Sequence, residues 1–525
     1  MITKYALVSV FDKSGIVDFA EVLVRLDYKI ISTGGTAKVL KESGINVVPI
    51  QEITGNPESF DGRMKTISFQ IESGILFRRN NPIHQKQAKQ LGIKPIDIVV
   101  CNLYPFEETT KDPKVALSKA IESIDVGGPT MIRAAAKNFH DVLVVVDPND
   151  YDNASKLLKE KTLTHDLRQK FAGKAFYHLS YYDSQIGKFL GEETFPEEIS
   201  IPGKKILDLR YGENPHQKAS LYIQPNSNSI FTNLKKLWGR DLSWLNLTDI
   251  NAGMESVKLF NPSKDGKAAV IIKHNSPCGI ALGSNIKQAL QRAIDGDPES
   301  AFGGIIVLNW QMDMESAKII GNFKNEKKAN IDIIACPEIE KNALEYLKVV
   351  RKSMGIYTFG NIKYQISNIK CQTNIRWVDG GFITQTQDNN IDDSFNKWTV
   401  VTKTKPTKKQ IEQMKIAWKF ISRIKSNSVI VVDKNLPMTR GIGCGQTSRL
   451  RSTRIALSQA GNFTKGGILA SDSFFPFDDS VKLAEKHGIS AIVQQGGSIN
   501  DKLSIDAADK AGISMVFTGR RAFWH

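Results

Sequence analysis

The sequence is poor in cysteine and has no long apolar run, and each shortage removes a class of protein. Its five cysteines, Cys101, Cys278, Cys336, Cys371 and Cys444, stand singly, with no Cys-x-x-Cys pair and no Cys/His cluster at metal-ligand spacing. Neither a disulfide framework nor a structural zinc is expected. The longest apolar candidates, residues 142–146 and 268–272, fall far short of the ~18 to 20 residues that a membrane helix needs. No membrane span is expected. The opening Met1-Ile2-Thr3-Lys4-Tyr5 leads straight into a strand-like run, without the charged, apolar and small-residue succession of a secretory signal, so the expected location is the cytoplasm. A short-period repeat is also lacking, which argues against a solenoid.

What is present is ample core material. With 525 residues, 41% of them hydrophobic and 24% charged, the chain should form three or four compact units at ~100 to 200 residues each. Its 70 basic and 55 acidic residues leave a charge of +15, which fits an anionic partner. A nucleic-acid-binding protein would cluster its basic residues on one stripe interleaved with aromatics. Here the lysines are spread along the chain, and small phosphorylated or carboxylated substrates explain the same sign with fewer requirements.

The first 190 residues alternate β-branched runs with helical patterns: strands at 6–10, 29–32 and 47–50, helices at 15–26 and 37–43. That alternation predicts an α/β fold with a parallel sheet. Residues 96–102 and 142–147 read as further buried strands, and loops after such strands are where ligands sit. Residues 191–205 (GEETFPEEISIPGKK) are acidic, hold two prolines and lack periodicity, so they are read as a linker. A second polar stretch, 384–397, reads as an exposed connection. The expected organisation is a domain over 1–190, the linker 191–205, and a larger unit over 206–525 with lobes at about 206–384 and 398–525.

Three segments of the first domain suit an anion. Ser32-Thr33-Gly34-Gly35-Thr36 lies between a strand and a helix start, where backbone N–H groups are exposed at the positive end of the helix. An ordinary glycine turn with a threonine N-cap is the plain alternative, and Ser9 and Lys13, converging on the same sheet edge, favour the anion. Asp61-Gly62-Arg63-Met64-Lys65-Thr66 puts two cations and a hydroxyl beside a glycine, fit to hold an anion or polarise a carbonyl, or else a solvated charged loop. Asp125-Val126-Gly127-Gly128-Pro129-Thr130 opens a helix carrying Arg133 and Lys137.

These motifs, together with Asn102-Leu103-Tyr104-Pro105-Phe106 and Ala134-Ala135-Ala136-Lys137-Asn138, resemble the bifunctional purine-biosynthesis family that combines AICAR transformylase with IMP cyclohydrolase. The likeness continues to the last residue. It implies a methylglyoxal-synthase-like α/β first domain that closes formyl-AICAR to IMP and water without a cofactor. It also implies that Ser9, Lys13, Thr33, Gly34, Gly35, Thr36, Arg63 and Thr66 hold the nucleotide, while Lys65, Tyr104, Asp125 and Lys137 serve the reaction. Such chemistry needs a donor where oxygen becomes negative, a proton carrier to release water, and a held conformation. The family's usual His-Pro-x-x-His-x-Gly stretch is replaced by Ser68-Phe69-Gln70-Ile71-Glu72-Ser73-Gly74, so a transformylase with a degenerate cyclohydrolase is the alternative reading.

In the second half, Leu209-Arg210-Tyr211-Gly212-Glu213-Asn214-Pro215-His216-Gln217 mixes types that no regular element uses. It reads as a binding loop, with Arg210 on phosphate, or as an interdomain turn. Lys273-His274-Asn275-Ser276-Pro277-Cys278-Gly279 follows a buried strand. A surface pair is the ordinary reading of Lys273 and His274, yet formyl transfer needs them: a base to take the proton of a weakly nucleophilic amine, and a cation for the tetrahedral oxygen and the leaving nitrogen. Pro277-Cys278-Gly279 is similar to a deaminase zinc loop, but the second cysteine and the His-x-Glu partner are missing, so no metal is expected.

The resemblance further implies a transformylase of two cytidine-deaminase-like lobes that takes its formyl group from 10-formyltetrahydrofolate. It points to Gly303, Asn427 and Tyr211 at the site, Arg449 reaching substrate across a homodimer interface, Phe474 against AICAR, Asp479 on the folate, Arg521 on phosphate and His525 assisting. Ala522 and Trp524 stand where the family usually has His and Arg. The implied partners are AICAR, formyl-AICAR, IMP and folate, with neither nucleic acid nor membrane.

Overall fold

Five short apolar runs of the first unit, most of them β-branched, cannot pair locally, because a helix separates each from the next in the sheet. They form a parallel sheet. In the computed structural model, which describes residues 3–112, 114–191, 193–227, 229–323, 330–362, 373–388 and 391–525, these strands are β1 (Lys4–Val10), β2 (Tyr28–Ser32), β3 (Val47–Pro49), β4 (Ile98–Asn102) and β5 (Leu143–Val145), in the order β3-β2-β1-β4-β5. Side chains of β1 alternate between two cores: Tyr5 and Leu7 face one, Ala6, Val8 and Val10 the other. The helix Ile16–Arg25 packs on the second core, and the helices Gly127–Lys137 and His165–Leu190 cover the first. Strand order reverses between β1 and β4, and in open α/β sheets the crevice at the carboxyl end of such a reversal is where ligands bind. Asn102 at the end of β4 fastens that point: its Oδ1 accepts the Phe11 and Asp12 N–H groups at 2.6 and 2.9 Å, and its Nδ2 donates to the Asp12 carbonyl at 3.0 Å.

The chain divides into two compact units, Met1–Lys204 with Gln224–Ser227, and Lys205–Ile223 with Asn228–His525. In the second unit β6 (Lys204–Leu209) and β7 (Ala219–Ile223) pair by themselves. Two six-stranded sheets follow. The first contains β8 (Lys235–Trp238), β9 (Lys267–Ile272), β10 (Pro277–Gly283), β11 (Ile305–Leu308), β12 (Ile333–Cys336) and β13 (Gly355–Thr358), ordered β10-β9-β11-β12-β13-β8. A separate hairpin of β14 (Thr373–Val378) and β15 (Gly381–Thr386) takes up the first part of the expected polar connection. The second sheet contains β16 (Thr399–Val400), β17 (Val429–Val432), β18 (Thr439–Gly443), β19 (Ile468–Ser471), β20 (Ala491–Gln494) and β21 (Ser514–Phe517), ordered β18-β17-β19-β20-β21-β16.

The two sheets share one plan. Each has an antiparallel hairpin at one edge, an antiparallel step, two parallel steps and an antiparallel far edge. The hairpin edges meet: the Leu282 N–H donates to the Pro437 carbonyl at 2.8 Å, the Ile280 N–H to Thr439 Oγ1 at 3.1 Å, and Ala281 bridges Met438. Helices Trp244–Val257 and Lys408–Ile421 occupy equivalent places, before the first hairpin strand of each sheet, and share one core, where Phe260 and Phe420 meet edge to face at 5.5 Å. No helix among the described residues is long and apolar enough to cross a membrane. Cys101, Cys278, Cys336 and Cys444 are unpaired, and Cys371 lies outside the described residues.

Candidate functional site

In the first unit the anion-suited segments gather at the carboxyl end of β1, β2 and β4. Thr33 precedes the helix Gly34–Glu42 in extended conformation and its side chain does not cap it, so the first-turn N–H groups stay available to an anion. Gly34 is left-handed at φ 54°. A Cβ on Gly35 would sit 3.6 Å from Lys13 Cε, and one on Gly34 3.9 Å from Lys65 Nζ, so two lysines flank the glycine pair. Lys13 Nζ donates to the Phe11 carbonyl at 3.0 Å. Ser9 is half-buried near the end of β1. The Thr36 hydroxyl is committed inside the fold: it accepts the Val10 N–H at 3.1 Å and donates to the Val10 carbonyl at 2.9 Å. Only its backbone remains for a ligand.

Lys65 pairs with Glu58 at 2.8 Å and Arg63 with Glu122. Thr66 is buried against the start of the helix Gly127–Lys137, where a Cβ on Gly127 would come within 2.4 Å of its Oγ1. Asp125 accepts the Gly128 N–H at 2.8 Å and also the Tyr104 N–H, and its own N–H donates to the Tyr182 hydroxyl at 2.8 Å. Burial pushes its carboxyl up, against the pull of those two N–H groups. Tyr104 is half exposed and its ring lies 5.4 Å from that of Phe11. Lys137 is not brought to this group: it is exposed at the far end of an eleven-residue helix, roughly 15 Å along the axis from Gly127.

One titratable group that sequence reasoning passed over is Glu72, in the helix Phe69–Leu76 that Ser68 caps. Its Oε1 is buried and meets no hydrogen-bond donor among the described residues, and burial pushes the carboxyl up to about 7.

In the second unit the hairpin from β9 to β10 turns on two residues, His274 and Asn275, both left-handed at φ 59° and 61°, with the Lys273 N–H donating to the Ser276 carbonyl at 3.0 Å. This is the geometry of a tight two-residue hairpin, which asks φ > 0 at both central positions. Lys273 Nζ donates to the Phe302 carbonyl at 2.7 Å, so the lysine is held against the loop of Gly303, itself left-handed at φ 71°. Asp249, which sequence reasoning missed, accepts the Asn275 N–H at 2.6 Å; the charges on His274 and Lys425 also act on it. In the matching hairpin of the second lobe the first residue past β17 is Asp433, whose Oδ1 accepts the Asn435 and Leu436 N–H groups at 2.8 and 3.0 Å while Oδ2 takes Arg440 Nε at 2.8 Å.

Lys425 accepts the Gly445 N–H through its carbonyl at 2.8 Å. Asn427 Nδ2 donates to the Gln446 carbonyl at 2.9 Å, which ties the segment before β17 to the glycine-rich loop. Arg449 pairs with the fully buried Asp472 of its own lobe at 3.1 Å, and Asp472 also accepts the Ser428 N–H at 2.9 Å. The C-terminal tail lies over these groups. The Ser426 N–H donates to the Trp524 carbonyl and the Ala522 N–H to the Asp472 carbonyl, each at 2.9 Å, and the Phe523 ring stands 4.3 Å from the Arg521 guanidinium and 5.5 Å from that of Arg449. His525 is exposed, edge-on to Phe523.

Of the three clustered phenylalanines Phe475 is core, Phe477 is exposed and Phe474 is half-buried. Asp479, at the first position of its helix, accepts the Ser480 N–H at 2.7 Å. Arg210 is exposed, with its guanidinium over the Tyr211 ring and donating to the Tyr211 hydroxyl at 2.9 Å. Cys278 Sγ donates to the Ile271 carbonyl at 3.5 Å, and burial pushes the thiol up to about 12. No group of three His, Cys, Asp or Glu side chains gathers at metal-ligand geometry among the described residues.

The chain matches two family models, one described as the AICARFT/IMPCHase bienzyme over residues 135–459 and one as an MGS-like domain over residues 15–130. A protein of Thermoanaerobacter sp. named Bifunctional purine biosynthesis protein PurH is 44% identical over 526 residues, covering 99% of this chain and 100% of its own. Proteins of the same name from Persephonella marina and Bacillus mycoides are each 43% identical at the same coverage. The chain therefore belongs to the AICARFT/IMPCHase family, bifunctional enzymes of purine biosynthesis that carry AICAR formyltransferase and IMP cyclohydrolase activities, here with an MGS-like first domain.

Proposed function

We propose that formyl transfer runs on Lys273, His274 and Asn427, with 10-formyltetrahydrofolate as the donor. The AICAR amine attacks the formyl carbon, and His274 takes the proton that the amine must lose. Lys273 balances the oxygen of the tetrahedral intermediate, and the carbon–nitrogen bond to the folate breaks as that nitrogen is protonated. The observation that carries this reading is the left-handed turn at His274 and Asn275 with Lys273 tied to the Gly303 loop. Arg210, Tyr211, Gly303, Arg449, Phe474, Asp479, Arg521 and His525 are assigned to the nucleotide and the folate. Arg449 acts there through a homodimer, and the protein works in the cytoplasm.

In the first unit Ser9, Lys13, Thr33, Gly34, Gly35, Thr36, Arg63 and Thr66 hold formyl-AICAR. The carboxamide nitrogen closes on the formyl carbon and water leaves, with Lys65, Tyr104 and Asp125 supplying donors and a proton carrier. Incubation with AICAR and formyl donor tests both halves. His274→Ala should abolish formyl-AICAR formation while added formyl-AICAR still becomes IMP, and Lys65→Ala should let formyl-AICAR accumulate. Loss of both reactions in either single variant would refute the assignment.

A further inference from the structure

Asp249 lies in the helix Trp244–Val257, which starts from a capping box of Ser243 and Asn246, and its side chain is among the buried polar groups of the second unit. Its carboxylate accepts the Asn275 N–H at 2.6 Å and also the His274 N–H. With the Asn275 amide oriented so that Nδ2 donates, that group reaches Thr248 Oγ1 at 2.9 Å, the Thr248 carbonyl at 3.2 Å and Asp249 Oδ1 at 3.2 Å. One short helical stretch thus holds the turn through main chain and side chain.

The turn needs such a hold. Left-handed backbone is unfavourable for a residue with a side chain, less so for asparagine than for histidine, and a two-residue hairpin turn ordinarily meets that cost with glycine. Here both central residues carry side chains. Burial pushes the Asp249 carboxyl up, and the two turn N–H groups with the nearby charges of His274 and Lys425 oppose that push. An aliphatic residue would fill the same space without the desolvation cost, and it would leave the turn N–H groups without an acceptor.

We infer that Asp249 is a positioning residue for formyl transfer: by accepting the two turn N–H groups it keeps His274 and Asn275 in the left-handed region and so aims His274 and Lys273. The inference rests on the assignment of those two residues as the transfer pair.

The test compares steady-state formyl transfer in full-length Asp249→Ala, Asp249→Asn, His274→Ala and the double variant Asp249→Ala/Asn275→Gly, with cyclohydrolase activity as a check that the chain is folded. Misaiming by about 1 Å costs on the order of 10²-fold, so Asp249→Ala should lose about that much kcat with the KM for AICAR within about twofold. Asp249→Asn, which keeps an acceptor oxygen, should recover part of the loss. The double variant should also recover part, because glycine takes φ > 0 without an anchor. Wild-type kcat in Asp249→Ala, or a loss confined to KM, would overturn the inference, as would failure of both the asparagine and the glycine rescue. Full activity in His274→Ala would sink the underlying assignment instead.

Discussion

Replacing Glu72 by glutamine should stabilise the first unit at alkaline pH and do little at acid pH. Burial raises the Glu72 carboxyl from its ordinary 4.5 to about 7, and Oε1 meets no donor among the described residues. The folded chain therefore keeps a proton that the unfolded chain has already released. The stability this carboxyl contributes is fully present below about 4.5 and is lost as pH rises through about 7. At 1.36 kcal/mol per unit the full swing would be about 3 kcal/mol; because the side chain is still partly open to water, about 1 to 2 kcal/mol is the working figure. Glutamine keeps the size and carries no charge at either extreme. Urea inactivation of the cyclohydrolase reaction, followed in both proteins at pH 5 and pH 8, reads the difference. With a slope of about 1 to 3 kcal/mol per molar urea, the glutamine variant should gain roughly 0.5 to 1 M in midpoint at pH 8 relative to its standing at pH 5. Equal midpoint differences at the two pH values would refute the reasoning.

Other sites give sharper single outcomes. Arg79 donates to the carbonyls of Gly74 and Ile96 at 2.9 and 2.8 Å and to those of Ile75 and Phe77, closing the end of the helix Phe69–Leu76. Arg79→Met should cost about 2 to 3 kcal/mol in the same urea assay, and an unchanged midpoint would rule that closing role out. Trp524→Ala removes a ring 4.8 Å from the buried Arg423 guanidinium; formyl transfer should fall while cyclohydrolase activity stays, and Trp524→Phe should restore part of it. Gly441→Ala would bring a Cβ to 1.9 Å from the Ala456 carbonyl oxygen, so limited proteolysis should cut the second lobe faster than in the wild type.

Much of the first unit was legible in the sequence because its strands are apolar runs bounded by turn residues. Even the edge that carries Ser9, Lys13 and Tyr104 follows from where β1 and β4 stop. Side-chain commitments were not legible. Thr36 reads like Thr33 in the same motif, yet its hydroxyl is spent on Val10, a strand residue far away in the chain. Lys137 belongs to the right motif, but it stands at the opposite end of the helix Gly127–Lys137 from Asp125. Asp249 sits among Leu247, Thr248 and Ile250 as an ordinary helical polar residue, and only the fold brings it under a turn met much later in the sequence. Glu72 stands out because its Oε1 meets no donor among the described residues, which no sequence pattern encodes. The likeness of the two lobes came only from the family resemblance and not from the residues, since little beyond Asn275 with Pro277 and Asn435 with Pro437 repeats around the hairpins.

That common plan explains why the first hairpin needs help from outside. In the second lobe Asp433 begins the turn and satisfies its amides from within, with Arg440 as counterweight. In the first lobe the same place belongs to an ammonium, Lys273, and a neighbouring helix has to lend the anion. Self-sufficiency and a positive charge thus compete for a single seat in the chain, and each twin has settled that contest its own way.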